Sequence, residues 1–298
     1  MASVQDIKRR VRSVKNTRKI TKALELVAAA KLRRAQLRIE SMRPYADRMQ
    51  ELMIGTARAS SSVRGLALLQ RRDEVQTVAI VPLTGDRGLA GAFNANVLRH
   101  AFALERELTA EGKAVKWLVV GRKGGSTLRF RGREVTHAWT GYADRPTYAD
   151  AQAVANRLAT LYADGEVDRV VLVYNHFVSA LVQNVASQDV LPIPESMLEG
   201  DEAAEQKDKA MRGDFIYEPE PEEILKRLLP VYVETELYRA LLESAASFQG
   251  AQMTAMRNAS KSAGEVIDSL TLAMNRARQS EITQEILEVV AGADALSG

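Results

Sequence analysis

The chain has 298 residues, 46% of them hydrophobic, a length that predicts about two domains with a sizeable core. It contains 0 Cys, which excludes disulfides, thiolate zinc sites and cysteine nucleophiles, and its 3 His are too widely spaced to predict a metal site. The net charge is only +3, but residues 1–48 carry 14 Lys and Arg against 4 Asp and Glu. Residues 195–223 have the opposite balance, 11 acidic against 3 basic. With no signal-peptide pattern and no run of about 20 apolar residues, we expect a soluble chain that is not secreted.

The first predicted element is a helix over about residues 4–59, in which small or apolar residues recur every seven positions. One row comprises Ile7, Val14, Thr21, Ala28, Ala35, Met42 and Met49, and the second comprises Val11, Leu32, Ile39, Ala46 and Met53. Charged Arg18 and Glu25 interrupt the second row. We therefore predict that the seam slips locally to Ile20, Leu24 and Val27. The helix should be on the order of 80 Å long.

The middle of the chain alternates short apolar runs with helical segments. Apolar runs at 75–81, 115–120 and 169–174 predict buried parallel strands, because strands covered on both faces are apolar throughout. Helices are predicted between them near residues 94–111 and 148–162. The acidic segment that follows, 196–221, predicts an exposed loop and connection.

The helical period returns from residue 222 to about residue 291. One row comprises Val231, Tyr238, Ala245, Gln252, Ala259, Val266 and Ala273, and the other comprises Thr235, Leu242, Gln249, Met256, Ala263, Leu270 and Ala277. Neither long terminal helix can bury its stripe alone, so we expect the two helices to pair. The predicted fold class is α/β plus long helices, with an antiparallel coiled coil of the terminal helices and a central Rossmann-like α/β domain. The predicted boundaries are 1–64, 65–195, 196–221 and 222–298.

A glycine-rich turn follows the first predicted strand, with the sequence G-D-R-G-L-A-G at residues 85–91. Such a turn can present backbone N–H groups to a phosphate, which leaves a nucleotide-binding α/β enzyme as one alternative. The spacing matches neither the dinucleotide fingerprint nor the P-loop, so a structural strand-to-helix turn is favoured. No nucleophile constellation is present, and we expect no catalytic residues.

The basic first helix leaves a second alternative, a coiled-coil protein that binds nucleic acid. Phosphate contacts would come from basic clusters at 8–10, 18–22 and 31–34. In that class a zipper formed with a second copy follows the basic region. Here the basic residues share the helix with the seam, and the natural partner is the C-terminal helix of the same chain.

Two long runs carry a family resemblance. Residues 14–36, VKNTRKITKALELVAAAKLRRAQ, and residues 275–293, NRARQSEITQEILEVVAGA, resemble the terminal helices of the gamma subunit of F-type ATP synthases. Residues 85–94 and 237–247 add two interior matches. The resemblance implies a central rotor shaft, present once per complex, that couples ion-driven rotation of the membrane c ring to ATP synthesis or hydrolysis.

The resemblance also implies the partners, which are the alpha and beta subunits of the catalytic hexamer, the epsilon subunit and the c ring. No nucleic acid, cofactor or metal is implied. The complex would be peripheral on the cytoplasmic face of the plasma membrane. Contacts with the beta subunits are expected from Arg18, Lys19, Lys22, Arg276, Arg278 and Gln279. An apolar bearing at the tip is expected from Ile282, Ile286, Leu287, Val289 and Val290. Contacts with epsilon or the c ring are expected from Phe215, Tyr217 and Glu218.

Overall fold

The computed structural model describes residues 3–60, 66–72, 74–194 and 218–297. The helices in these ranges are α1 (Val4–Ala59), α2 (Phe93–Ala110), α3 (Arg122–Phe130), α4 (Tyr148–Ala163) and α5 (Pro221–Ser297). The strands are β1 (Thr77–Pro82), β2 (Ala114–Val120), β3 (Val135–Trp139), β4 (Arg169–Phe177) and β5 (Gln183–Leu191). None of the described helices is long and apolar enough to cross a membrane.

The chain divides into two compact units. Unit 1 is built from the described parts of Met1–Ala29 and Gln252–Gly298, and unit 2 from those of Ala30–Ala251. Both long helices, α1 with 56 residues and α5 with 77 residues, contribute to each unit. The long terminal helices and the α/β sheet confirm the predicted fold class.

Unit 2 contains a five-stranded sheet in the order β3-β2-β1-β4-β5. The first four strands pair in parallel, and β5 pairs antiparallel with β4 at one edge. Side chains of β1 alternate between two cores: Ala79 and Val81 join the cluster that includes α4 and α5, and Val78 and Ile80 join the cluster on the α2 side. Helices on both faces explain why β1 and the buried parts of β2 and β4 are almost entirely apolar.

The three predicted strands correspond to β1, β2 and β4, and the two predicted helices to α2 and α4. Sequence patterns missed β3, α3 and β5. Two of these are edge strands, and α3 contains Gly124 and Gly125, which lower its intrinsic helix propensity. The predicted acidic loop, apart from its last few residues, lies in 195–217, outside the described residues.

Unit 1 is an antiparallel pair formed by the start of α1 and the later part of α5. Ile7 and Val11 pack with Ile267, and Leu270 and Met274 extend the cluster. Further along, Glu25 of α1 meets Arg257 of α5. The contact positions therefore run in opposite directions along the two helices, as the heptad rows predicted.

The predicted slip of the seam to Ile20, Leu24 and Val27 is wrong at Ile20 and Val27, whereas Leu24 is half-buried. Ile20 is 60% exposed and Val27 is 51% exposed, while Glu25 stays in the seam and is only 6% exposed. Burial of a carboxylate is tolerated when cations compensate its charge, and Lys22 and Arg257 both pair with Glu25. On α5 the first predicted row also leaves the interface at Val266, and Ile267 takes its place in the cluster.

Candidate functional site

The glycine-rich turn is held closed by its own aspartate. Asp86 accepts a hydrogen bond from the backbone N–H of Arg122, the first residue of α3, over 2.9 Å, and another from the N–H of Gly141 over 3.0 Å. The side chain of Asn94 accepts from the N–H of Gly85 over 2.8 Å. Helix N-terminal N–H groups are the donors that would receive a phosphate. Asp86 takes such a donor at the start of α3, and Asn94 of α2 takes the N–H of Gly85, so side chains of this chain satisfy these backbone donors around the turn.

Helix α5 occupies part of the crevice where proteins of this topology bind ligands, and a cavity lined by Asp86, Arg87 and Arg122 stays open beside Phe248. In open α/β sheets that crevice lies beyond the carboxyl ends of the strands, at the point where the strand order reverses, here between β1 and β4. The ring of Phe248 lies against Gly85 just after β1 and meets Phe93 edge-on, with ring centroids 5.3 Å apart. The hydroxyl of Ser247 donates to the carbonyl of Asn175 in β4 over 3.0 Å. The helix is thus packed against the sheet at this crevice.

We expect Gly85→Ala to loosen this junction. A Cβ at Gly85 would lie 2.7 Å from a ring carbon of Phe248, so the ring must move, at an expected loss of about 1–3 kcal/mol of unfolding free energy. The matched control is Gly88→Ala in the same turn, where the nearest atom is 3.9 Å away, and it should change stability by no more than about 0.5 kcal/mol. Thermal unfolding of the two variants measures the difference. Equal effects would contradict close packing at Gly85.

Polar contacts tie α5 to other parts of unit 2. Glu243 lies 2.5 Å from Nδ1 of His176 at the end of β4. Asp144 accepts hydrogen bonds from Lys31 of α1 and Gln249 of α5, both over 2.8 Å. Partial burial by itself raises the pKa of Asp144, but the hydrogen bond and charge of Lys31, with Gln249, hold the pKa below its usual value. One loop carboxylate therefore contacts both long helices within this unit.

In unit 1 the most developed polar cluster is centred on Glu25. Its Oε2 lies 3.1 Å from Nζ of Lys22, and its Oε1 accepts from Nε of Arg257 over 3.1 Å. The hydrogen bond from Lys22 and that from Arg257 lower the pKa of Glu25. The carboxylate stays ionised at neutral pH and joins residues of both helices.

The predicted cationic contact residues occupy two separate places on unit 1. Arg18, Lys19 and Lys22 are exposed on α1, and the guanidinium carbon of Arg18 lies 3.7 Å from where a Cβ would stand at Gly264 of α5. The second set, Arg276, Arg278 and Gln279, is exposed further along α5. Since Arg18 lies beside Gly264, the two sets are about 20 Å apart along the helix pair. They form two surfaces of this unit.

The predicted tip residues are largely exposed in unit 1. Ile282, Ile286, Leu287, Val289 and Val290 are between 46% and 72% exposed. The whole of 278–293 is exposed, so this part of α5 presents all its faces. Of the residues predicted to contact epsilon or the c ring, Glu218 is exposed, whereas Phe215 and Tyr217 lie outside the described residues.

Sequence reasoning did not single out Arg257 or Phe248. The signal for Arg257 was present in Glu25, a charged residue at a seam position, because a buried carboxylate requires a cation from somewhere. The signal for Phe248 was absent, because an aromatic residue in a long apolar helix does not reveal which glycine it packs against. Ile20 and Val27, which the sequence placed in the seam, are exposed instead, as are Leu26, Leu37 and Leu52 of the same helix.

Comparison with known proteins assigns the family. The family model described as ATP synthase matches residues 3–296. The chain is 45% identical to the ATP synthase gamma chain of Moorella thermoacetica, over 99% of this chain and 100% of that one. It is 44% identical to the gamma chain of Rubrobacter xylanophilus, over 100% and 99% of the two chains.

Comparison with solved structures gives the same family. A chain of the central stalk and c-ring structure of Tetrahymena thermophila mitochondrial ATP synthase matches with a TM-score of 0.59 at 28% identity, over 81% of this chain and 99% of that chain. A chain from the Euglena gracilis mitochondrial enzyme shares the fold, with a TM-score of 0.68 at 17% identity over 98% and 94% of the two chains. The chain therefore belongs to the ATP synthase family, among its gamma chains.

Proposed function

We propose that this chain is the central rotor shaft of an F-type ATP synthase, which transmits rotation between a membrane c ring and the catalytic alpha and beta subunits. The observation that carries the proposal is the 45% identity to a gamma chain over essentially the full length of both proteins. The chain has no catalytic site of its own, and its role in ATP synthesis or hydrolysis is mechanical.

The physical basis of the role is asymmetry combined with stiffness. A single helix pair inside a ring of three catalytic pairs presents a different face to each at any moment, and so biases each toward a different conformation. Within unit 2, α5 is held by the sheet through Phe248, Ser247 and Glu243. Rotation applied to the sheet then reaches the helix without slipping, since packed interiors transmit strain.

The partner surfaces are proposed from the exposed residues. The helix pair of unit 1 would enter the hexamer, with Arg18, Lys19 and Lys22 as one cationic contact to the beta subunits and Arg276, Arg278 and Gln279 as the second. The apolar residues of 282–290 would form the bearing, because non-directional contacts allow turning.

Glu218, with Phe215 and Tyr217, would contact epsilon or the c ring. The Tetrahymena relative is described together with a c ring, which supports a c ring as a partner of this chain. One copy per complex, at the cytoplasmic face of the plasma membrane, completes the proposal.

Purification of the tagged chain from its native membranes under mild detergent tests the proposal. We expect alpha, beta, epsilon and c subunits to copurify with it, and ATP to drive rotation of a bead attached to the isolated complex. Recovery of the chain with nucleic acid, or with none of these subunits, would contradict it.

A further inference from the structure

Glu25 is an unusual residue for the centre of a helix pair. It is the only charged residue among the buried members of unit 1 that the structure describes, and its side chain is 8% exposed. The two cations that it holds have their side chains more than half exposed, Lys22 at 59% and Arg257 at 56%. The carboxylate is thus inside the pair, while both cationic heads reach the surface.

Each cation keeps unused hydrogen-bond donors. Arg257 binds Glu25 through Nε, and its two terminal nitrogens have no acceptor among the described residues. The ammonium group of Lys22 contacts Glu25 alone in the same part of the chain. Nη1 and Nη2 of one guanidinium form the edge that binds a second carboxylate in two parallel hydrogen bonds. The cluster carries one net positive charge and open donors toward the outside.

A polar residue in a helix pair can serve only to fix the register of the two helices. That purpose requires one partner across the seam, which Arg257 supplies, and it does not require Lys22 from the same helix. Leu26, which follows Lys22 by one turn, is 62% exposed. An exposed apolar side chain beside free arginine and lysine donors has the composition of a protein interface.

We propose that Glu25 is a positioning residue that holds Lys22 and Arg257 together as one cationic site. The site binds a carboxylate of the subunits that surround the helix pair, and Arg257 makes the direct contact. The inference rests on the proposed function, because it takes the surrounding subunits to be those of the catalytic hexamer. It adds a contact residue on α5 next to the first of the two cationic sets predicted from the sequence, on the side away from residues 276–279, and it assigns a purpose to the buried carboxylate.

The first experiment compares Arg257→Ala with Lys261→Ala in the assembled complex. Lys261 is an exposed cation one turn further along α5 and serves as the matched control. At equal assembly we expect Arg257→Ala to lower ATP turnover about tenfold, as the loss of a charged hydrogen bond predicts, and Lys261→Ala to leave it unchanged. Equal turnover of Arg257→Ala and wild type would overturn the proposal.

The second experiment separates positioning from register. Exchange of the two charges, Glu25→Arg with Arg257→Glu, keeps an ion pair across the seam but removes the cation from α5. We expect Arg257→Ala to lower the melting temperature of the chain and the charge exchange to restore it to the wild-type value. ATP turnover of the complex with the exchanged chain should stay low. Full recovery of turnover would show that the ion pair only fixes the register.

A double-variant cycle then tests whether Glu25 acts through Arg257. Glu25→Gln should lower turnover several-fold by itself and much less in the Arg257→Ala background, where only the placement of Lys22 is left to lose. Additive losses would overturn the positioning role. Suppose that the wild-type complex assembles and hydrolyses ATP and that the variant complexes do so at the same rate. The positioning role then fails and the proposed function stands. Failure of the wild-type chain to assemble would contradict both.

Discussion

Replacement of Leu242 by Asp is expected to cost about 3–5 kcal/mol of unfolding free energy, the largest effect of any single change considered. Leu242 is 1% exposed and lies in the run 240–250 of α5, in which every residue is buried. A carboxylate there loses its hydration and finds no designed cation, which is the costliest case for a buried charge. Thermal or urea unfolding of the purified chain measures the loss.

Two further positions on the same helix give this prediction its controls. Ala273→Asp places the same charge at an exposed position and should change stability by less than about 0.5 kcal/mol. Leu270→Asp lies at the half-buried edge of the cluster around Ile7 and Ile267, so it should loosen unit 1 by a smaller amount. Because that change spares unit 2, we expect assembly to survive and rotation-coupled synthesis to fall. Wild-type coupling in both Leu variants would contradict the seam.

The second large effect is expected at the end of the helix pair. The double change Arg278→Ala with Gln279→Ala should depress ATP turnover of the assembled complex by about ten- to a hundredfold. A charged hydrogen bond made in only one rotary state contributes about 1.5–3 kcal/mol to the difference between states. Both side chains are exposed, so their removal should leave the stability of the free chain unchanged. Turnover at equal assembly and the melting temperature are the two measurements.

Truncation after Gly292 is the control for the double change, because it shows whether the end of α5 is needed for ATP turnover. The truncation removes residues 293–298 and keeps the proposed bearing residues of 282–290, whose apolar contacts are many and individually weak, so rotation should stay largely intact. We expect the truncated complex to keep more activity than the double variant. If the truncation abolishes turnover while the double change leaves it unaltered, residues 293–298 are the functional element and the assignment of Arg278 and Gln279 is wrong.

The sequence alone determined the long-range plan of this protein. Heptad rows predicted two long helices and their pairing, because a stripe of apolar residues must be covered by another stripe. Three apolar runs predicted β1, β2 and β4, since strands buried on both faces leave a continuous signal. Sequence patterns over almost the whole chain also identified the family, which the match over residues 3–296 confirmed.

Only the tertiary structure revealed the elements that combine polar with apolar residues or contain glycines. β5 lies at a sheet edge and mixes polar with apolar side chains, so it has no run to detect. α3 forms despite two glycines because Gly124 allows a close approach to Thr84, where a Cβ would lie 2.6 Å from the hydroxyl oxygen.

The same holds for the polar core of unit 1. The sequence marked Glu25 as a break in the seam, and the pattern alone favoured a slip of the helix to avoid it. The compensating guanidinium comes from Arg257, 232 residues away along the chain. Local periodicity contains no information about a partner at that distance, because only the paired helices bring the two charges together. The burial of Glu25 was therefore decided by the energy of a tertiary ion pair and not by the period of the helix.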